Sequence, residues 1–420
     1  MPPSGGPLHD APPSRIPVLG AQAVAFVAVS SACLAYYGGL QGFGATFDPA
    51  CDQLSCDYIR HFHPTLSAVR GDGLPTAGYL YPPTFAVLAA PAGLLSVPAA
   101  TALWSALQGL LLAAWSIGPP HLARRVPLPL AVAFTVVTVL SVPALSVLKW
   151  GQLSTLLVLL GLPAFALLER DRQGPAGALL ALAAALKVFP ALWFVWPLVD
   201  RRWRSLVWGT AVCAGLLGLL PLVALGPAGT IAFYTKLMAE LQAARSWIPT
   251  SDGAQYLPTV LVRFLHQPGL RPVFVGFGYV LALGLLSLLL RVRDRTEDRA
   301  LWAFAIAASL FPLVIESSWL NYFVHLPVVW WVLLSSWGEQ GPGPRVGTVL
   351  SVGIGVCVAT LPWHEVYDGG STLHYAQEAW LLLADLVGLA GMAAVLIGAD
   401  DPPRSRDGSP SSPASALEPR

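Results

Sequence analysis

The chain is dominated by apolar runs too long and too numerous for a water-soluble fold. About twelve of them can be marked, at residues 16–40, 82–95, 98–117, 127–148, 153–168, 174–199, 203–225, 272–290, 300–315, 319–337, 346–361 and 375–397, and the longer ones reach the roughly 20 residues a bilayer-spanning helix needs. They lack the alternation of barrel strands and are too long for them. A helix satisfies its own backbone in lipid, so helices are the spanning elements. Charged residues make up only 11% of the chain and hydrophobic ones 55%, against about 25% charged in a soluble domain. The expected fold is therefore an all-α polytopic membrane protein, and a net charge of +1 gives no reason to expect a nucleic-acid partner.

Organisation follows from the breaks between runs. Residues 1–15 and 399–420 are rich in Pro, Ser, Gly and charge and read as disordered tails; residues 16–398 form the membrane domain. The first run reads as an uncleaved anchor. With twelve spans and an inner N-terminus, the short inner loops receive Lys149, Arg201, Arg202, Arg204, Arg291, Arg293, Arg295, Arg299 and Arg345. That bias fixes the orientation and places loops 41–80 and 226–271 outside. Two runs fit poorly. Residues 82–95 would span about 21 Å as helix against a hydrocarbon core of about 30 Å, and read as a half-helix. Residues 174–199 contain Lys187 and Pro190, which mark a break.

Chemistry-bearing residues concentrate in the first loop, which carries Asp48, Asp52, Asp57, Arg60, His61, His63, Arg70 and Asp72 just before Tyr81, Pro82 and Pro83. Cys51 and Cys56 share that loop and can pair if it faces an oxidising compartment; two free thiols are the alternative. Within the membrane, Lys187 would cost about 2.5–3.5 kcal/mol at mid-bilayer. It either snorkels to the interface or points at an anionic group in a wet cavity. Asn321 and His325 are four residues apart and would share a helix face, as a packing pair or as part of a site. Arg263, in the 226–271 loop, is the best anion-binding side chain there, because guanidinium grips phosphate bidentately. No His/Cys spacing supports a zinc site, and no metal or cofactor is expected.

Taken in order, these residues resemble a family. An acid in the first outer loop (Asp57) is followed by Tyr81-Pro82-Pro83 at the second run, then Gly151-Gln152. Next come Ala176-Gly177 running into Lys187-x-x-Pro190, Arg263 after the second long loop, and Ser318-Trp319-Leu320-Asn321-Tyr322. This pattern resembles glycosyltransferase family 87, polytopic enzymes of the GT-C type whose known members are actinobacterial mannosyltransferases. The resemblance implies a GT-C bundle of about 10–12 transmembrane helices with a large first extracytoplasmic loop. It implies a polyprenyl-phosphate sugar donor, a hexose (mannose foremost) passed with inversion to a glycolipid or lipid-linked glycan, and a site on the outer face of the cytoplasmic membrane. Asp57 would be the general base, with Asp52 and Asp48 as rivals and His61 or His63 orienting it. Lys187 and Arg263 would bind the donor phosphate, and Tyr81, Pro82, Pro83, Gln152, Asn321 and His325 would line the sugar and acceptor pocket. Asn321 departs from the family, which usually has histidine there; His325 is the nearest imidazole. The rival class is a transporter or flippase, which also uses broken helices and buried charge, but the acids here lie in an outer loop and the apolar pattern shows no internal repeat.

Overall fold

A computed structural model describes residues 15–40, 54–71, 74–123, 126–248, 251, 253–295, 297–360 and 379–398. Asp48, Cys51 and Asp52, and residues 1–14 and 399–420 of the two tails, lie outside the described residues. Among the described residues every regular element is a helix, so the all-α expectation holds. Six helices are long and apolar enough to cross a bilayer: Ile16–Ala35, Val97–Ile117, Trp203–Trp247, Pro268–Arg293, Pro342–Ala359 and Trp380–Gly398. Seven shorter apolar helices accompany them, including Gln173–Leu186, Arg299–Val314 and Leu320–Ser335.

Apolar residues divide into two populations, as expected where lipid is the outer solvent. Val207, Trp208, Val223, Ile231, Val273 and Val280 are exposed on the long helices, which in water would be a large liability and in lipid is a normal surface. From Ala300 to Ala308 and from Leu326 to Leu333, every side chain is buried. Helices apolar on all sides belong at the centre of a bundle, and these two form its axis. Polar side chains inside it pair across helices: Gln22 Nε2 of the first helix donates to Thr135 Oγ1 at 3.0 Å, and Gln22 Oε1 accepts from His121 Nε2 at 2.7 Å.

The two poorly fitting runs are both interrupted. Residues 82–95 form the Pro83–Ala89 helix and then a 3-10 turn, Ala90–Leu94, too short to cross. The 174–199 run is broken at Lys187. The Gln173–Leu186 helix stops there, Lys187 is extended (φ −154°, ψ 129°), and a 3-10 turn at Phe189–Phe194 leads into Val195–Val199. Pro190 cannot supply an N–H to continue the first helix.

The stretch 226–271, a long and partly amphipathic segment between apolar runs, is mostly helical. The Leu220–Trp247 helix kinks at Gly226 (φ 69°) and runs on, followed by Leu257–Leu265 and a turn at Pro268–Leu270. Its polar residues decorate a helix face: Lys236 and Glu240, one turn apart, pair at 3.1 Å, a spacing that supports helix.

The Gln173–Leu186 helix, which delivers Lys187, lies against Trp203–Ala214 so closely that a Cβ on Gly177 would sit 2.2 Å from the backbone oxygen of Ser205. Small residues permit such backbone approach in membrane bundles. The obstructing atom is backbone, so it cannot swing aside. Gly177→Val should cost about 1–3 kcal/mol through overpacking, read as a lowered melting temperature in detergent, and should reduce activity by displacing Lys187.

Candidate active site

The site is assembled where the first loop meets the bundle. The turn Tyr58–Phe62 starts at Asp57 and is held by aromatic packing. The Tyr58 ring stacks on Trp104 (centroids 4.9 Å, 9° between planes), and Phe62 stands edge-on to Tyr81 at 4.9 Å and to Phe85 at 5.3 Å. Such pairs contribute about 0.5–1.5 kcal/mol each beyond their area burial. Ser55 N–H donates to Leu148 O at 3.3 Å. Cys56 is disulfide-bonded, whereas Cys33, Cys213 and Cys357 are free; Cys51, its expected partner, lies outside the described residues.

A second strand of the site comes from the Val142–Trp150 helix. It ends at Gly151 in the left-handed region (φ 67°), where a Cβ would press within 3.0 Å of Ser55 and of Trp104 Nε1. Trp104 Nε1 donates to Gly151 O at 3.0 Å, and Gln108 Nε2 donates to Gln152 O at 2.9 Å. The Gln152 backbone is thus fixed by two side chains of the Val97–Ile117 helix.

From there four predicted residues join. Gln152 Oε1 accepts from Tyr81 Oη at 2.5 Å and from Lys187 Nζ at 3.2 Å, while its Nε2 donates to Asp57 Oδ2. Lys187 Nζ also donates to Tyr81 Oη at 2.9 Å. The ammonium lies over three rings, 4.5 Å from the centroid of Tyr322, 4.7 Å from Tyr81 and 5.5 Å from Phe189, and Phe189 and Tyr322 stack on each other at 4.3 Å. Cation–ring attraction strengthens as water is removed, which lets a lysine rest here without a direct carboxylate bond. Gln152 therefore bridges a cation and a carboxylate without neutralising either by contact. Burial pushes the Asp57 carboxyl up from the usual carboxylate range; His61, Lys187, the hydrogen bond from Gln152, and Arg60 offset part of that. The prolines act on the backbone: Pro82 is extended at the helix boundary and Pro83 opens the Pro83–Ala89 helix, a favoured place for proline. That geometry points Tyr81 inward.

Other predicted residues go elsewhere. His325 does not share a face with Asn321. Leu320–His325 is a 3-10 turn, with about three residues per turn, so a four-residue spacing no longer aligns side chains. Asn321 Oδ1 accepts from Ser154 Oγ at 3.1 Å, backing the Gln152 segment. His325 turns into the core, 3.0 Å from Asp385 Oδ1, which also accepts from Ser309 at 2.7 Å. Arg263 sits half-buried on the Leu257–Leu265 helix. His63 is buried with Nε2 at 3.1 Å from Leu95 O, and His61 Nδ1 lies 2.9 Å from Ala77 O; neither is hydrogen-bonded to Asp57. Glu316 pairs with Arg271. Sequence reasoning passed over Phe189, Tyr322 and Gln108 as site builders. The signals were an aromatic two residues after Lys187, a tyrosine beside Asn321 and a lone amide in an apolar helix.

Residues 79–318 match glycosyltransferase family 87, a stretch that holds Tyr81, Gln152 and Lys187 but not Asp57. The chain is also 26% identical, over 328 residues, to the polyprenol-phosphate-mannose-dependent alpha-(1-2)-phosphatidylinositol pentamannoside mannosyltransferase of Mycolicibacterium smegmatis; the alignment covers 76% of this chain and 75% of that relative. No solved structure matches the chain.

Proposed function

The chain belongs to glycosyltransferase family 87, and from that premise we propose that this membrane hexosyltransferase moves mannose from a polyprenyl-phosphate donor to a glycolipid acceptor. The observation that carries the reading is the Gln152 bridge: one side chain spaces a carboxylate, Asp57, from an aromatic-caged ammonium, Lys187. A glycosyl phosphate needs both, a base on the side of attack and a cation at the departing phosphate.

In this mechanism the acceptor hydroxyl oxygen attacks the anomeric carbon as the bond to the phosphate oxygen breaks, inverting the configuration. Asp57 takes the hydroxyl proton. The released polyprenyl phosphate carries one more negative charge than the donor phosphodiester did, and Lys187 stabilises that growing charge in low-dielectric surroundings. A phosphate monoester leaves without an acid catalyst. The donor's lipid tail stays in the bilayer, beside the short half-helix Pro83–Leu94. The outer face of the cytoplasmic membrane suits the reaction: a disulfide at Cys56, next to the proposed base, is at home in an oxidising compartment.

The relative's name supports mannose as the sugar and a phosphatidylinositol mannoside as the class of acceptor. The test is direct. Purified protein given radiolabelled polyprenyl-phosphate-mannose and a phosphatidylinositol mannoside should transfer label to the glycolipid and release polyprenyl phosphate in equal amount. Movement of the lipid-linked sugar across liposome membranes with no labelled product would instead establish a flippase.

A further inference from the structure

The turn at Gly78 holds an imidazole that the transfer step leaves unused. His61 stands four residues after Asp57 on the turn Asp57 begins. Its Nδ1 lies 2.9 Å from the carbonyl of Ala77. A carbonyl only accepts, so Nδ1 carries a hydrogen, and Nε2 is the position where the neutral ring takes a further proton. The ring is tightly housed. A Cβ on Gly78 would fall 2.5 Å from His61 Cε1 and 2.6 Å from Nδ1, so only glycine, here at φ +79°, lets the chain close over it. Thr76 Oγ1 also donates to His61 O at 3.1 Å.

The same turn reaches the Leu220–Trp247 helix. Gly78 N–H donates to Glu240 Oε2 at 3.0 Å, and Glu240 Oε1 lies 3.1 Å from Lys236 Nζ. Two carboxylates therefore flank the turn that holds His61: Asp57, four residues before it, and Glu240, across the Gly78 bend. Arg60 and Lys236 are the opposing cations. Nothing in the transfer step itself needs Glu240 or a housed imidazole.

We propose that His61 carries the proton away from Asp57 after each transfer, with Glu240 supporting the imidazolium. The proposal rests on Asp57 being the base. Transfer leaves Asp57 as a carboxylic acid. Its O–H bond breaks, a water between the two side chains, which share no direct hydrogen bond, passes a proton to the Nε2 lone pair as it takes up the one released, and the carboxylate is restored. Water or buffer base then takes the proton from Nε2, returning the neutral ring. Without this route Asp57 must shed its proton directly, from a half-buried position.

His61→Asn tests it, because the asparagine amide can still donate to Ala77 O while the proton-carrying nitrogen is gone. Turnover should fall by at least about tenfold at neutral pH, a modest loss for proton-transfer catalysis. The donor KM should stay unchanged, and added imidazole should restore the rate in proportion to its free-base form. A variant within about twofold of wild type, or a slow variant that imidazole does not rescue, overturns the proposal. Should His61→Asn not fold, Glu240→Gln keeps the acceptor for Gly78 N–H and removes only charge. Its turnover should become dependent on buffer concentration, and a flat buffer response overturns the proposal equally. An inactive Asp57→Asn enzyme beside an unaffected His61→Asn enzyme would sink only this route; an active Asp57→Asn enzyme would sink the base assignment itself.

Discussion

Asp57→Asn should abolish sugar transfer, with turnover falling about 10²–10⁴-fold, the range lost with a positioned general base. Asparagine has the same shape as aspartate and keeps an acceptor for Gln152 Nε2, so the bridge to Lys187 and Tyr81 survives. The donor KM should therefore change little, and the loss should lie in the catalytic step. The pH profile supplies a second, independent reading. Burial raises the Asp57 carboxyl above the ordinary carboxylate range, and only its ionised form accepts a proton. Activity should thus rise with pH through that raised value, giving an acid limb displaced upward from where an exposed aspartate would put it. Whatever activity the asparagine enzyme retains should lack this limb.

Stability should move the other way. The folded protein holds the Asp57 proton more tightly than the unfolded chain does. Between the ordinary and the raised pKa, the native state binds more protons, and stability falls as pH rises. Asparagine has no proton to lose, so the variant should melt at or above the wild-type temperature at neutral pH. A dead enzyme that is no less stable would separate catalysis from folding. A variant that keeps wild-type turnover would remove Asp57 from the mechanism.

Much of the bundle and part of the site can be read from residues alone, and the reason is the expense of polarity in lipid. A lysine in an Ala/Leu-rich helix needs a partner, and Lys187 has Tyr81, Gln152 and three rings. The break beside it is equally legible, since Pro190 cannot continue a helix. What composition does not carry is local helical pitch. On a regular helix a four-residue spacing puts Asn321 and His325 together, whereas the 3-10 turn sends them to different partners. Positions such as Gln108 and Gly151 acquire meaning only once the Val97–Ile117 helix is seen to grip the Gln152 backbone.

The second large effect is expected at Lys187. Methionine has a similar length and can lie against the Tyr81, Tyr322 and Phe189 rings, so Lys187→Met removes the charge while filling the space. If the ammonium stabilises the departing phosphate, turnover should fall about 10²–10³-fold, roughly 2.7–4 kcal/mol, as when one preorganised donor is removed from a site of developing negative charge. Lys187→Arg should not restore it. The planar guanidinium is larger than the ammonium that the three rings surround, and its fork cannot make the single-point contacts to Tyr81 Oη and Gln152 Oε1. Product inhibition tells this role from a structural one. Polyprenyl phosphate carries its full charge after transfer, so the methionine enzyme should bind it more weakly and be inhibited less. Asp57→Asn removes a negative charge from the same pocket and should make inhibition stronger. The two inactive enzymes should therefore move product affinity in opposite directions, a pattern that general disruption of the pocket could not produce; equal weakening in both would count against a phosphate held at Lys187.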